Sequence, residues 1–245
     1  MIPEPPWYED AFRSDYRQVY AHRNLEAARG EARFLVAHGL SGRVLDLCCG
    51  FARHSLALSE LGVNVFGLDL SFDLLRDARR LPGSERLAGR LVRADAGRLP
   101  FASASFDALV NLFSSFGYFG EQGDARMLDE IARVLRPGGR ALLDLMNPPA
   151  VRSSLVPRST REGDGFRLRE ERRLLEGGRR ITKEVELHLD GGVRRWREDV
   201  RMYEEHELRT HLAERGLAVD AVWGDFDGRE CSPSSPRMIL RARRR

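Results

Sequence analysis

Apolar and polar positions follow two different rhythms along this chain. In its first part, short apolar runs alternate with stretches of helical period. Strands are predicted over 43–47, 63–68, 91–94, 108–113 and 140–146, and helices over 51–61, 72–80 and 124–135. In the last of these helices Met127, Leu128, Ile131, Val134 and Leu135 form one apolar stripe, and Pro137-Gly138-Gly139 stops it. Strands alternating with helices predict an α/β fold, a parallel sheet with helices on both faces. Ligands of such sheets bind outside the carboxyl ends of the strands.

After Asn147 the rhythm changes to period 2. Segments 166–175, 181–189 and 193–202 alternate as strands, with Gly177-Gly178 and Asp190-Gly191-Gly192 as hairpin turns. They predict a three-stranded antiparallel insertion over 164–203. A helix over 204–215 ends at Gly216, and strands around 217–223 and 237–242 complete the sheet. Ahead of all this, 8–38 reads as helical, with Tyr8, Phe12, Tyr16 and Val19/Tyr20 on one face. That aromatic stripe is either core packing or a lid over a ligand.

Composition narrows the classes. At 245 residues the chain suits one α/β domain with an elaboration. No apolar run reaches the roughly 18 residues of a membrane span, and MIPEPPWYED lacks a signal pattern, which predicts a cytoplasmic protein without a membrane partner. The net charge is +3, yet Lys183 is the only lysine and the arginines are interleaved with acids, as in RLREERRLLE and RRWREDVR. That is the pattern of solvated faces and argues against nucleic acid. Three cysteines form neither a disulfide framework nor a metal pair; Cys48 and Cys49 read as small buried thiols.

The chemistry concentrates in VLDLCCGFARHS, Val44 to Ser55. A strand ends in Asp46 and turns tightly into a helix, and a second strand, VFGLDLS, ends in Asp69. A turn of small side chains lets backbone approach a ligand, and a carboxylate one strand away grips a ribose. A dinucleotide fingerprint needs glycine at three positions, two of which here are Cys48 and Arg53, so NAD or FAD fits poorly. With Asp46, Asp69 and Asp95 in order, the run resembles the class I S-adenosylmethionine (SAM)-dependent methyltransferases, whose D-x-G-C-G-x-G here carries Cys48 and Ala52 for two glycines. LRPGGRALLD resembles that family's fifth-strand entrance, and NLFSSFGYFG with the insertion resembles its small-molecule branch, the sugar and amine N-methyltransferases and glycine N-methyltransferase-like enzymes.

The resemblance implies a Rossmann-like, doubly wound, seven-stranded and mostly parallel sheet whose last strand is antiparallel, with an antiparallel β insertion after the fifth strand. It divides the chain into an N-terminal helical lid (1–40), a SAM-binding core (41–150), a substrate-covering insertion (151–203) and a C-terminal completion of the sheet (204–245). It places Asp46 at the turn and the methionine amino group, Cys48 and Gly50 where backbone meets the methionine portion, and Asp69 on the ribose. Leu70 then lies beside the adenine, Asp95 and Ala96 read its edge, and Asn111 leads the segment nearest the sulfonium. Tyr16 and Tyr20 are further cofactor candidates from the first helix, and Tyr118 and Tyr8 are candidates to contact the acceptor. His22 and His54 are candidate bases, each read first as packed or surface histidines. Trp196 is a candidate pocket wall. Asn147-Pro148-Pro149-Ala150 follows the fifth strand and lacks an aromatic, so it reads as a stiffened chain exit and not as an N-P-P-Y box.

The implied activity is methyl transfer from SAM to the nitrogen or oxygen of a small-molecule acceptor, driven mainly by positioning. Alternatives are an RNA or protein methyltransferase, and a SAM-binding protein without catalysis. No metal is called for, and the sequence is compatible with a homodimer.

Overall fold

The computed structural model describes residues 6–13, 15–20 and 23–245. Three short helices open the chain: α1 (Trp7–Ala11), α2 (Tyr16–Val19) and α3 (Leu25–Ala37). The single helix expected over 8–38 is therefore broken twice. Its aromatic period came from residues that face a shared cavity, not from one continuous helix. Asn24 restarts the helix as the cap of α3, accepting from the Ala27 amide at 3.0 Å.

The core then alternates β1 (Arg43–Leu47), α4 (Arg53–Glu60), β2 (Asn64–Asp69), α5 (Phe72–Ala78), β3 (Leu91–Arg93), β4 (Phe106–Asn111), α6 (Gly120–Val134) and β5 (Leu135–Met146). After α7 (Pro148–Ser154) come β6 (Arg158–Gly163), β7 (Phe166–Leu175), β8 (Arg180–Leu189) and β9 (Gly192–Arg201). The chain finishes with α8 (Glu205–Ala213), β10 (Leu217–Trp223) and β11 (Arg237–Arg244). The central sheet has the order β10-β11-β5-β4-β1-β2-β3, parallel from β5 to β3, with β11 antiparallel to both neighbours. This is the expected seven-stranded, mostly parallel sheet. Strand order reverses between β1 and β4, so the crevice for a ligand opens at their carboxyl ends.

Apolar side chains are buried on both faces. Leu45, Leu47, Leu109 and Leu143 pack against the Met127, Leu128 and Ile131 stripe of α6; Val44, Val110 and Leu142 pack against Leu35 of α3 and Leu56 of α4. Pro137-Gly138-Gly139 does not separate helix from strand. β5 already pairs at Leu135 with Phe106, and the register shifts before Arg140 meets Ala108.

The insertion is a four-stranded antiparallel sheet, β6-β7-β8-β9, and not a three-stranded one. Its extra strand, RSTREG, is a polar edge strand with no buried position, so no alternation announces it. One face of this sheet packs Leu168, Val185, Leu187 and Trp196 against Ala11, Val19 and Tyr20. Trp196 thus lies in that packing. Lys183 donates to the Tyr20 hydroxyl at 2.9 Å, and Arg194 pairs with Asp15 at 2.5 Å. The second sheet roofs the crevice and the N-terminal helices wall it. Asn147 donates to the Ser232 and Ser235 carbonyls, a structural tie at the chain exit.

Candidate active site

Roof, wall and core border a half-open cavity of about 810 Å3 over the carboxyl ends of β1 to β4, the size range of small-molecule sites. Its floor is the turn after β1. Cys48, Gly50 and Ala52 all take left-handed backbone, with φ of 61°, 57° and 59°. The two non-glycines stand where the resembling family has glycine, so the chain keeps the glycine conformation without the glycine. Such residues cost on the order of 1–2 kcal/mol each and persist where surrounding bonds impose them. Here the Cys49 amide donates to the Leu68 carbonyl at 2.9 Å and the Gly50 amide to Asp69 Oδ2 at 2.7 Å.

Asp69 holds this turn and the next together, since its Oδ1 accepts from the Ser71 amide at 2.8 Å. Each oxygen keeps a second lone pair. Asp46 lies deeper, accepting from Ser55 Oγ at 2.6 Å. Burial pushes both carboxyls above the ordinary range; the Ser71 and Gly50 amides oppose it at Asp69, and His54 and Ser55 oppose it at Asp46. A cation between them would relieve that cost. Asp95 is exposed at the cavity's far end, with Oδ1 on the Gly97 amide at 2.8 Å. These donors and acceptors fit a nucleoside carrying positive charge near the turn: a ribose at Asp69, an adenine edge at Asp95, a sulfonium and ammonium near Asp46.

Tyr8, Tyr16, Tyr20, Leu70, Ala96 and Tyr118 line the cavity together with Asp46, Cys48, Gly50, Asp69 and Asp95. Asn111 does not. It is fully buried, its Nδ2 donates to the Leu47 carbonyl at 2.9 Å, and strand alternation puts it on the α6 face of the sheet with Leu109. The two tyrosines singled out for the acceptor separate. After burial, Tyr8 feels Asp95 most strongly, and it packs edge-on against Phe119 at the Asp95 end of the cavity. Tyr118 lies between the turn and the roof: burial, then the Glu198 charge, push its phenol well above the ordinary range.

His54 is tied to Glu31, Nε2 to Oε2 at 2.5 Å, and burial followed by Arg53 lowers its pKa, so it is neutral near pH 7. A neutral ring bonded to a carboxylate under the turn is a packed histidine. His22 lies outside the described residues. Burial also raises both Cys48 and Cys49 far above the ordinary thiol range, with Asp69 and Asp46 the leading charges; neither is a thiolate nucleophile.

Sequence reasoning missed most of the charged lining residues, of which Arg23, Arg172, Lys183 and Glu198 matter most here. Arg23 packs over the rings of Tyr16, Tyr20 and Phe113, and donates to the Tyr16 hydroxyl at 2.5 Å. Among the described residues it has no carboxylate partner. The others belong to the roof strands, where interleaved charge suggested a solvated face. Phe113 and Ser114, both at positive φ, form the loop after β4. Asp144 fixes that loop, accepting from the Phe113 amide at 2.7 Å while paired with Arg237 at 2.6 Å.

Comparison with known proteins agrees with this geometry. Residues 44–139 match a family described as a methyltransferase domain. The demethylmenaquinone methyltransferase of Clavibacter sepedonicus is 40% identical over 110 residues, 44% of this chain and 43% of that protein. The chain spans about half the length of the curated relatives it matches most strongly. Among solved structures, the CcbJ methyltransferase of Streptomyces caelestis superposes with a TM-score of 0.82 at 20% identity, covering 98% of each chain. The sugar N-methyltransferase KedS8 of a Streptoalloteichus species gives 0.69 at 21% identity, over 100% of this chain and 98% of that one. At such identities the likeness is one of fold, and it includes roof and wall as well as the core.

Proposed function

We propose that the chain is a class I S-adenosylmethionine-dependent methyltransferase and that it methylates a small-molecule acceptor held beneath the β6–β9 roof. The carrying observation is that the cavity does not stop at the cofactor turn. It continues past Tyr118 to Ile181, Lys183, Glu198 and Val200 on the roof. A roofed, half-open space of this size beyond the cofactor turn suits a metabolite better than a folded RNA or protein.

Bound SAM supplies a methyl group already attached to a leaving group. The chain's own residues then hold and align. Asp69 accepts from ribose hydroxyls, and Asp95 and Ala96 face the adenine edge, with Tyr8 covering that end. Asp46 and the Gly50 turn surround the methionine portion. Arg23 offers its unspent guanidinium donors to an anionic group, which the methionine carboxylate provides. Tyr16 and Tyr20 close the wall, and the roof keeps water out. Tyr118, protonated throughout the physiological range, donates a hydrogen bond where acceptor and methyl group meet. Positioning of this kind supplies much of the acceleration in a displacement that needs no strong base.

Incubation with radiolabelled SAM and a cell extract split into metabolite, RNA and protein fractions tests the reading. Label is expected in the metabolite fraction. Label confined to the macromolecular fractions overturns the small-molecule assignment, and no transfer at all overturns catalysis.

A further inference from the structure

The roof presents an unusual row to the cavity. Arg172 of β7, Lys183 of β8 and Glu198 of β9 are cross-strand neighbours, directly opposite one another in register. All three line the cavity between Ile181 and Val200. Charges placed in an enclosed site cost several kcal/mol each in lost hydration unless every donor and acceptor is matched. An inventory of these groups shows where matching is incomplete.

The cations are spent. Lys183 donates to Glu198 Oε2 at 2.8 Å and to the Tyr20 hydroxyl at 2.9 Å, and lies 3.6 Å from Glu170. Burial disfavours its charge, but Glu198 and Tyr20 outweigh burial and hold it above the ordinary lysine range, so it is not a base. Arg172 donates to Ser159 at 3.0 Å and to Glu170 at 2.7 Å. Glu170 is spent on Arg172, Ser159 and Lys183. Glu198 differs. Its Oε2 carries Lys183, while among the described residues Oε1 receives only a long bond from Trp196 Nε1 at 3.3 Å. A carboxylate oxygen accepts two good bonds. The row's unspent capacity is therefore an acceptor, negatively charged and facing the cavity.

We propose that Glu198 is the acceptor-recognition residue of this site, and that the group it recognises is an amine. The inference rests on the methyltransferase reading. An amine donates an N–H to Glu198 Oε1 and keeps its lone pair for the methyl carbon. The N–C bond forms as the C–S bond breaks, with the bonding pair left on sulfur. Positive charge passes from sulfur to nitrogen: the amine reacts in its neutral form, its own proton having gone to water on entry, and the product leaves as an alkylammonium, the charged form that n-butylammonium imitates. Glu198 lies on the side toward which that charge moves, where a fixed negative group favours the transition state over the ground state. The cavity's own phenols report the field: after burial, Glu198 is the leading charge on both Tyr20 and Tyr118, ahead of Lys183 on the first and Arg23 on the second. An alcohol gains nothing comparable, because its methylated product is neutral.

Tyrosine signals give a direct test. Of the five tyrosines, Tyr8, Tyr16, Tyr20 and Tyr118 line the cavity, while Tyr203 is buried on Asp124 and serves as reference. Ring-labelled [13C]tyrosine protein, with and without S-adenosylhomocysteine, is titrated with n-butylammonium chloride at constant ionic strength, and separately with n-butanol. The expected result is saturable shifts at Tyr118 and Tyr20 with the cation, at least about fivefold weaker in Glu198→Gln and retained in Glu198→Asp, which keeps the charge. Butanol is expected to bind the wild type and Glu198→Gln alike. Absence of saturable cation shifts in the wild type, or equal cation affinity in Glu198→Gln, overturns the proposal. The contrast of cation with alcohol in the wild type decides it even where a variant folds poorly. Calorimetry with S-adenosylhomocysteine on the same samples keeps the two readings apart: lost cofactor binding counts against the methyltransferase reading, and intact cofactor binding without a cation preference counts against Glu198.

Discussion

Asp69→Asn separates holding the turn from holding the cofactor. In the native protein Oδ2 takes the Gly50 amide at 2.7 Å and Oδ1 the Ser71 amide at 2.8 Å. Asparagine keeps the shape but turns one acceptor into an NH2 facing a backbone N–H. One buried amide then loses its partner, at about 1–3 kcal/mol of stability. Replacing the charged acceptor of the ribose hydroxyls costs about 1.5–3 kcal/mol of affinity, or roughly 10- to 150-fold. S-adenosylhomocysteine is the right ligand for the calorimetry, because its neutral sulfur removes the attraction between the sulfonium and the carboxylates. Thermal denaturation without ligand measures the turn separately. A variant that melts earlier yet binds within about twofold of wild type, a difference of roughly 0.4 kcal/mol, refutes the ribose role and leaves Asp69 as a brace for the turn.

Tyr118→Phe is expected to lower turnover about 3- to 10-fold, the value of one hydrogen bond, with cofactor affinity unchanged; equal losses in both would mark a structural role. Because burial holds Asp46 and Asp69 above their ordinary 3.8, both are partly protonated in the free protein just above that pH. The favourable contribution of their neutral forms to folding is present below 3.8 and is lost as pH rises through the raised values. A cationic ligand favours the ionised forms, so SAM affinity is expected to rise with pH through that window and then level off. Titration in buffers of different ionisation heat should show proton release just above pH 3.8 that fades as pH rises toward neutrality; no release in the acid window contradicts the assignment.

The cofactor half of the site was legible because its chemistry sits on regular elements. Asp46 and Asp69 close strands whose apolar residues alternate with helices, and strand ends are where such folds bind ligands. Asn111 shows the limit of that rule. It closes β4 too, yet its side chain is buried on the α6 face against the Leu47 carbonyl, and strand parity decides this rather than its position at an end. The roof was legible as strands but not as a site. Glu198 and Lys183 occur in a run of alternating charge that resembles a solvated face, and only the packing of the N-terminal helices against the sheet makes that face an interior. The N-terminal wall misled in the opposite way. Tyr8, Phe12, Tyr16 and Tyr20 keep helical spacing across breaks in the helix, because the cavity they share, and not a helix axis, sets their direction.

Gly117 joins the two halves. Its carbonyl accepts from the Arg201 amide at 2.9 Å, and any side chain there would put its first carbon 2.2 Å from the Arg201 carbonyl oxygen. The loop after β4 and the end of the roof are riveted at one point, within hydrogen-bonding distance, while the residues that face the acceptor lie further along β8 and β9. Substitutions at those positions can redraw the acceptor chamber without disturbing either the rivet or the cofactor turn. Under the proposed reading, a few roof side chains set acceptor preference, and they can change without touching the backbone that joins roof to core.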